Sequence, residues 1–430
     1  MRKTIKTFAL ASLICLSFIA KAQNTPKVSL YGFVRTDLIF DTRQTVYVRE
    51  GNLNMFPTNE LLDEYGNDIN NSPMLNYSSI GSRMGIKATG PDILGAKVTG
   101  VLESEFFGIS NATVNTLRLR HAYMKMNWTN QELLIGQTWH PLFTEECFPT
   151  VINFNTGIPF QPFNRSPQIR YTYTNNNFKL QLATLTERDF TTPGPAGASF
   201  TYLSNNAIPE FTAGAHYKKP SADSTKTFAT GVVGEYKIFR PRMTTNTNVI
   251  TTKKLSAAAA VLYAGYLTPK FDIKAKATYG QNMFNHLMIG GYAIRHFDVM
   301  PIDEDWDYTN LEVAAAWLNF TYKFNSKLHT GLFAGYAQNM GSKNNIYDWN
   351  NLNSYYGRAF DIAYLYRFSA RIEYNVGKVQ FGFEPEYSVA AYGNQRNSLG
   401  VLQNNTENYP TSKIKEKDNI RLLGAVTYTF

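Results

Sequence analysis

IAYLYRFSARIEY, residues 362 to 374, decides the fold. Ile362, Tyr364, Tyr366, Phe368, Ala370, Ile372 and Tyr374 fall on one face of an extended strand. Arg367, Ser369, Arg371 and Glu373 fall on the other, with Asp361 just ahead of them. This is alternation of period two, the mark of a β-strand with one apolar and one wet side. The next segment repeats it, with Val379, Phe381, Phe383, Tyr387 and Val389 against Lys378, Gln380, Glu384, Glu386 and Ser388. So does the final strand, 418–430, which closes in GAVTYTF: Ile420, Leu422, Val426, Tyr428 and Phe430 oppose Asn419, Arg421, Thr427 and Thr429.

Full charges on the polar face, and aromatics crowded toward strand ends, favour a membrane barrel over a soluble sandwich of shorter strands. Composition agrees. Aromatic residues make up 14% of the 430 residues, including 27 Tyr and 29 Phe, yet mean hydropathy is −0.29. Apolar residues that alternate with polar ones reconcile the two.

Read outward from this segment, the chain yields strands near 27–42, 76–89, 96–107, 116–128, 131–140, 166–175, 178–189, 208–219, 226–240, 253–268, 270–285, 309–324, 327–340, 359–375, 378–391 and 418–430. That is about sixteen, and single-chain bacterial outer-membrane barrels have even numbers. Long segments (43–75, 141–165, 190–207, 286–308, 341–358, 392–417) are mostly interleaved with tight turns such as Thr129-Asn130, Asn325-Ser326 and Asn375-Val376-Gly377. Long extracellular loops opposite short periplasmic turns are expected, with both termini on the turn side. Closure pairs the last strand with the first, which explains a chain that stops on an outward Phe430 in mid-strand. A terminal aromatic of this kind also resembles the signal read by the barrel-assembly machinery, an expected partner.

MRKTIK, the short apolar run TFALASLICLSFIA and the A-x-A site Ala20-Lys21-Ala22 read as a secretory signal peptide over residues 1–22. Residues 23–430 are then the barrel domain. Ile14 before Cys15 argues against a lipoprotein anchor. Cys147 is left without a partner, so no intrachain disulfide forms in the mature chain. Removing Arg2, Lys3, Lys6 and Lys21 takes Lys+Arg from 42 to 38 against 33 acids, which lowers the formal charge from +9 to +5. Nucleic acid is not an expected partner, although a local positive field stays open.

Arg83, Lys87, Arg118, Arg120 and Arg170 fall on the polar faces of strands two, four and six, where a basic ladder could line one wall of the lumen. The alternative is that Glu103 and Glu105 on the third strand neutralise it. HPLFTEECFPTVINFNTGIPFQPFNR, residues 140–165, holds four prolines and five phenylalanines, too apolar for a lone solvent loop. It is expected to fold inward as a constriction, with Glu145 and Glu146 opposite the basic wall, or else to act as a lid or a subunit contact. In HFDVMPIDEDWDY, residues 296–308, Asp303, Asp305 and Asp307 copy the start of a calcium loop. Tyr308 and Ala314 stand where the Gly and the bidentate acid are needed. A solvated acidic loop is the plainer reading, with a looser cation site or a bridge to lipopolysaccharide as the alternative. The six His are scattered and form no metal or catalytic motif. No enzyme, cofactor or metal site is expected.

YGFVRTDLIFD (31–41), SRMGIKATG (82–90), LRLRHAYMKMNW (117–128) and LLIGQTWHP (133–141) resemble the opening strands of trimeric general and substrate-selective porins. The last two together resemble the DcaP-like porins. The resemblance implies an outer-membrane homotrimer of sixteen-stranded barrels, each with its third loop folded inward, and passive diffusion of small hydrophilic, often anionic, solutes. It also implies pore-wall roles for Arg118, Arg120 and Arg170 and a constriction role for Glu145 or Glu146. His140 and Pro141 depart from the more polar pair expected after GQTW. The competing class is a barrel with a blocked lumen whose long loops bind a host or phage ligand.

Overall fold

Along the strands, exposed apolar side chains alternate with buried polar ones, as a sheet between lipid and a filled interior requires. A computed structural model describes residues 26–405, 408–409 and 411–430; the expected signal peptide and Cys15 lie outside the described residues. Sixteen antiparallel strands form the wall. They are β1 (Lys27–Asp41), β2 (Met74–Ser78 with Arg83–Thr89), β3 (Lys97–Glu105), β4 (Arg118–Asn127), β5 (Gln131–Trp139), β6 (Arg165–Asn175), β7 (Phe178–Leu185) and β8 (Glu210–Pro220). The second half comprises β9 (Thr227–Phe239), β10 (Leu255–Leu267), β11 (Phe271–Gln281), β12 (Tyr308–Lys323), β13 (Leu328–Ser342), β14 (Ile362–Val376), β15 (Val379–Gly393) and β16 (Ile414–Thr429).

Each strand pairs with the next, and β16 returns to β1 from Phe33↔Thr429 to Asp41↔Arg421. The Phe430 amide donates to the Gly32 carbonyl at 3.1 Å. The sheet therefore has no free edge, which a hydrocarbon environment demands. The alternation expected for residues 362–374 holds from Tyr364 onward. At its start a bulge between Ile362 and Tyr364 shifts the register, and Ile362 is fully buried instead of facing lipid. β2 is likewise not one continuous strand: residues 79–82 leave the ladder between its two pairings with β1.

The interior is not empty. Loop L1 (42–73) carries a small hairpin, Thr45–Val48 with Leu53–Pro57, and Leu53, Met55 and Phe56 on it are buried. Loop L3 (140–164) and loop L6 (282–307) enter beside it. From L3 come Leu142, Phe143, Ile158 and Phe160, and from L6 come Met283, Leu287, Met288 and Ile289, all in one apolar cluster with L1. Inward side chains of β9, β10, β12 and β13 complete that cluster, among them Val233, Val261, Trp317 and Phe333. The sequence reading turned L3 inward and left 43–75 and 286–308 as extracellular loops; the structure folds parts of all three into the barrel. Apolar wall and apolar loops remove each other from water, so the insertion is a core in the ordinary sense.

Candidate functional site

L3 crosses the lumen because the wall offers it sockets and donors. A Cβ at Gly335 would stand 2.5 Å from the Phe160 ring, and one at Gly382 would stand 2.7 Å from Ile152. Only glycine lets the loop approach so closely. Charged wall groups satisfy its backbone. Lys276 Nζ donates to the Phe143 carbonyl at 2.6 Å, Arg367 Nη1 to the Ile158 carbonyl at 2.7 Å and Arg35 Nη2 to the Ile152 carbonyl at 2.6 Å. Glu384 accepts the amides of Ile152 and Asn153. Arg367 Nη2 also reaches the Met55 carbonyl at 2.9 Å, so one guanidinium holds L1 and L3 together. The Cys147 thiol is buried at the Ala264 and Ala275 carbonyls, 3.6 Å from each, and burial pushes its pKa up.

Arg83, Arg118 and Arg120 do face inward, and each meets an acid of β3. Arg120 Nε lies 2.7 Å from Glu103 and its Nη1 2.8 Å from Glu105. Arg118 Nη2 lies 2.5 Å from Glu105, and Arg83 Nη2 3.2 Å from the same carboxylate. Asp189 then bridges Arg118 at 2.8 Å and Arg165 at 2.9 Å. The ladder is thus the neutralised alternative for these three residues, with a surplus: four guanidiniums (Arg83, Arg118, Arg120, Arg165) face three carboxylates (Glu103, Glu105, Asp189). Arg165, which sequence reasoning missed, is 3.8 Å above the Trp139 ring, and Trp139 stacks on Phe143 of L3 at 3.9 Å. It sits at the end of the 140–165 segment, where the apolar run hid it.

Lys87 and Arg170 make no ion pair among the described residues. Lys87 is exposed on β2 below Arg83. Arg170 is buried on β6 and lines a cavity of about 410 Å³ with Lys125, Glu132, Glu145, Glu146 and Lys179. The turn Trp128 to Gln131 belongs to the same lining, so this cavity lies toward the short-turn end. A second cavity of about 410 Å³ lies between L3 and the ladder, bounded by Arg35, Arg83, Glu103, Arg120, Arg165 and Phe154. Glu145 lines both cavities. Glu146 shares the first cavity with Arg170 and pairs with Lys179 of β7.

The aspartates of 296–308 do not gather. Asp303 accepts hydroxyls from Thr245 and Thr247, and Asp307 pairs with Lys253 at 3.0 Å. Among the described residues the one trio of side chains spaced for a metal ion is His140, Glu235 and His286, all buried. Burial holds the His140 imidazolium down to about 4 and lowers that of His286. These residues are far apart in sequence, and no spacing rule would have joined them.

The family model of the DcaP outer membrane protein matches residues 18–206, a stretch that contains the four motifs quoted above. The resemblance to DcaP-like porins is borne out there. In fold the chain is similar to the outer membrane channel DcaP of Acinetobacter baumannii, with a TM-score of 0.65 at 18% identity over 95% of this chain and 99% of that one. It is also similar to outer-membrane expressed OmpT of Vibrio cholerae, with a TM-score of 0.53 at 11% identity over 95% and 99%. The trimer form of in-vitro folded OmpT of Vibrio cholerae gives 0.51 at 11% identity over 95% and 100%. No curated protein matches the chain in sequence. The fold is that of a sixteen-stranded outer-membrane barrel.

Proposed function

Taking the DcaP match as premise, we propose that the protein is an outer-membrane porin through which small hydrophilic solutes diffuse passively, with a slight preference for anions. The observation that carries this reading is the pair of polar cavities left by L3 along β1–β8, which share Glu145 as a lining residue. The apolar cluster denies water the β9–β13 side of the lumen, so solutes pass eccentrically along the charged side. One surplus guanidinium in the ladder, in a channel with low-dielectric walls, biases entry toward anions. Dense pairing keeps binding weak enough for exit. The trimer form of OmpT supports a homotrimer here. Export by residues 1–22, assembly through the Phe430 strand and contact with lipopolysaccharide complete the proposal.

The test is single-channel recording in planar bilayers. Stepwise triplets with mild anion preference support the porin. Absence of conductance overturns it in favour of a receptor or adhesive barrel acting through its outer loops, a reading that L1, L3 and L6 favour by filling so much of the interior with apolar side chains.

A further inference from the structure

Where L3 and L6 meet the wall, five chemistry-bearing side chains converge that the diffusion route does not use. His140 is the first residue of L3, His286 ends the short turn Met283–His286 of L6, Glu210 opens β8, and Glu235 and Lys237 point inward from β9. No side chain among them is more than 2% exposed. His286 Nε2 lies 2.7 Å from Glu235 Oε2, and His140 Nε2 lies 3.9 Å from that same oxygen. One donor atom from each of His140, Glu235 and His286 falls within 4.8 Å of the others. His140 Nε2 also bonds Glu210. Lys237 Nζ holds the other Glu235 oxygen at 3.1 Å, which leaves Oε2 to the imidazoles.

The charge count points the same way. Glu187 joins the network through Asn285, whose Nδ2 donates to it at 3.1 Å while its Oδ1 accepts from Lys237 at 2.8 Å. Three buried carboxyl groups therefore face one ammonium among the described residues. Ionising all three leaves two negative charges away from water with no cation to meet them, a costly arrangement. Two protons or one divalent cation would remove that excess, and the two imidazoles beside Glu235 Oε2 supply the donors a cation needs.

We propose that His140, Glu235 and His286, with Glu210 as fourth donor, form a divalent transition-metal site of the zinc class that pins L3 and L6 to the wall. Two imidazole nitrogens and two carboxylate oxygens suit zinc, whereas calcium and magnesium select oxygen-only sets. Without metal, the Leu142 amide approaches His140 Nδ1 at 3.2 Å, so the ring proton sits on Nε2 and is shared with Glu210. Metal binding moves that proton to Nδ1, where it faces the Leu142 N–H donor, so the His140–Leu142 turn shifts slightly as the metal binds. His286 makes the same tautomer change without loss, because its Nδ1 has no partner among the described residues. Lys237 and Asn285 then orient the Glu235 carboxylate from behind.

The test uses the full-length protein without a histidine tag, stripped with chelator during refolding and titrated with Zn²⁺ or Co²⁺. One equivalent per chain, and the intense visible absorption of four-coordinate Co²⁺, are expected. His286→Ala should remove the absorption, and Asn285→Ala should weaken binding roughly tenfold or more. X-ray absorption at the zinc edge of the wild type, which needs no variant to fold, should report two imidazole nitrogens at about 2.0 Å. Substoichiometric uptake, an all-oxygen shell, or Co²⁺ binding indifferent to His286→Ala would each overturn the site. The result is independent of conductance, so a failed porin reading leaves it standing.

Discussion

Replacing Glu145 by Lys tests the eccentric route directly. Glu145 is exposed, lines both polar cavities and makes no ion pair among the described residues, so the change leaves the L3 anchors alone. An ion passing at about 7 Å in water-like surroundings feels roughly 0.6 kcal/mol from one charge. Going from −1 to +1 doubles this for an anion and acts oppositely on a cation, which separates them by about 2.4 kcal/mol before screening. Screening at physiological ionic strength, with a Debye length of about 8 Å, reduces that to about 1 kcal/mol. The anion-to-cation permeability ratio should rise about fivefold, since 1.4 kcal/mol is about a factor of ten. Reversal potentials across a KCl gradient, wild type against Glu145→Lys, measure it. A ratio unchanged within twofold, in channels of normal conductance, would refute passage beside Glu145 and with it the two-cavity route.

Arg118→Ala with Arg120→Ala leaves two guanidiniums facing three carboxylates, so anion preference should disappear and the urea midpoint should fall, in line with the roughly 3–5 kcal/mol that an unpaired buried charge costs. An anion preference that survives would place the ladder off the solute path. Arg367→Ala strips the Ile158 and Met55 carbonyls of their donor, each such charged bond being worth about 1.5–3 kcal/mol; L1 and L3 should become protease-sensitive and the open-channel noise should grow. Wild-type protease protection would show that the apolar contacts hold both loops unaided. Cys147, 0% exposed with its thiol pKa raised by burial, should resist a charged maleimide in the folded barrel and react on unfolding, and fast native labelling would mean that L3 is not docked. Since only the thiolate reacts, any residual labelling should climb with pH past the usual thiol range.

The strands were legible because their two faces differ. Residues 364–374 and 419–430 carry polar and charged side chains inward and aromatics outward, and period two follows from that contrast alone. Legibility failed where the inner side is also apolar. On β10 the inward Ala257, Ala259 and Val261 are as hydrophobic as the outward Ala258, Ala260 and Leu262, so the sequence gives no hint that a core lies inside. The inward course of L1 and L6 was hidden for the same reason: what holds Leu53 or Met288 is a distant wall, not a local pattern. L3 was readable because its own prolines and phenylalanines made solvent exposure implausible. The pairing of Arg83, Arg118 and Arg120 was open to inference from Glu103 and Glu105 on the adjoining strand, but geometry alone assigns partners. The His140, Glu235 and His286 trio needed three separate elements brought together.

The arc from β9 to β13 has a bearing on biogenesis. On β10 and β13, Leu262 and Leu332 are presented to lipid and Val261 and Phe333 to the interior, and neither strand carries an Asp, Glu, Lys or Arg, so these two have few wetted sides to show while the chain is still unfolded. Extended, low-charge, apolar segments are the ones that stack into aggregates. These two strands therefore need a holding chaperone most, and their transit through water, rather than insertion into the bilayer, should limit the yield of folded protein.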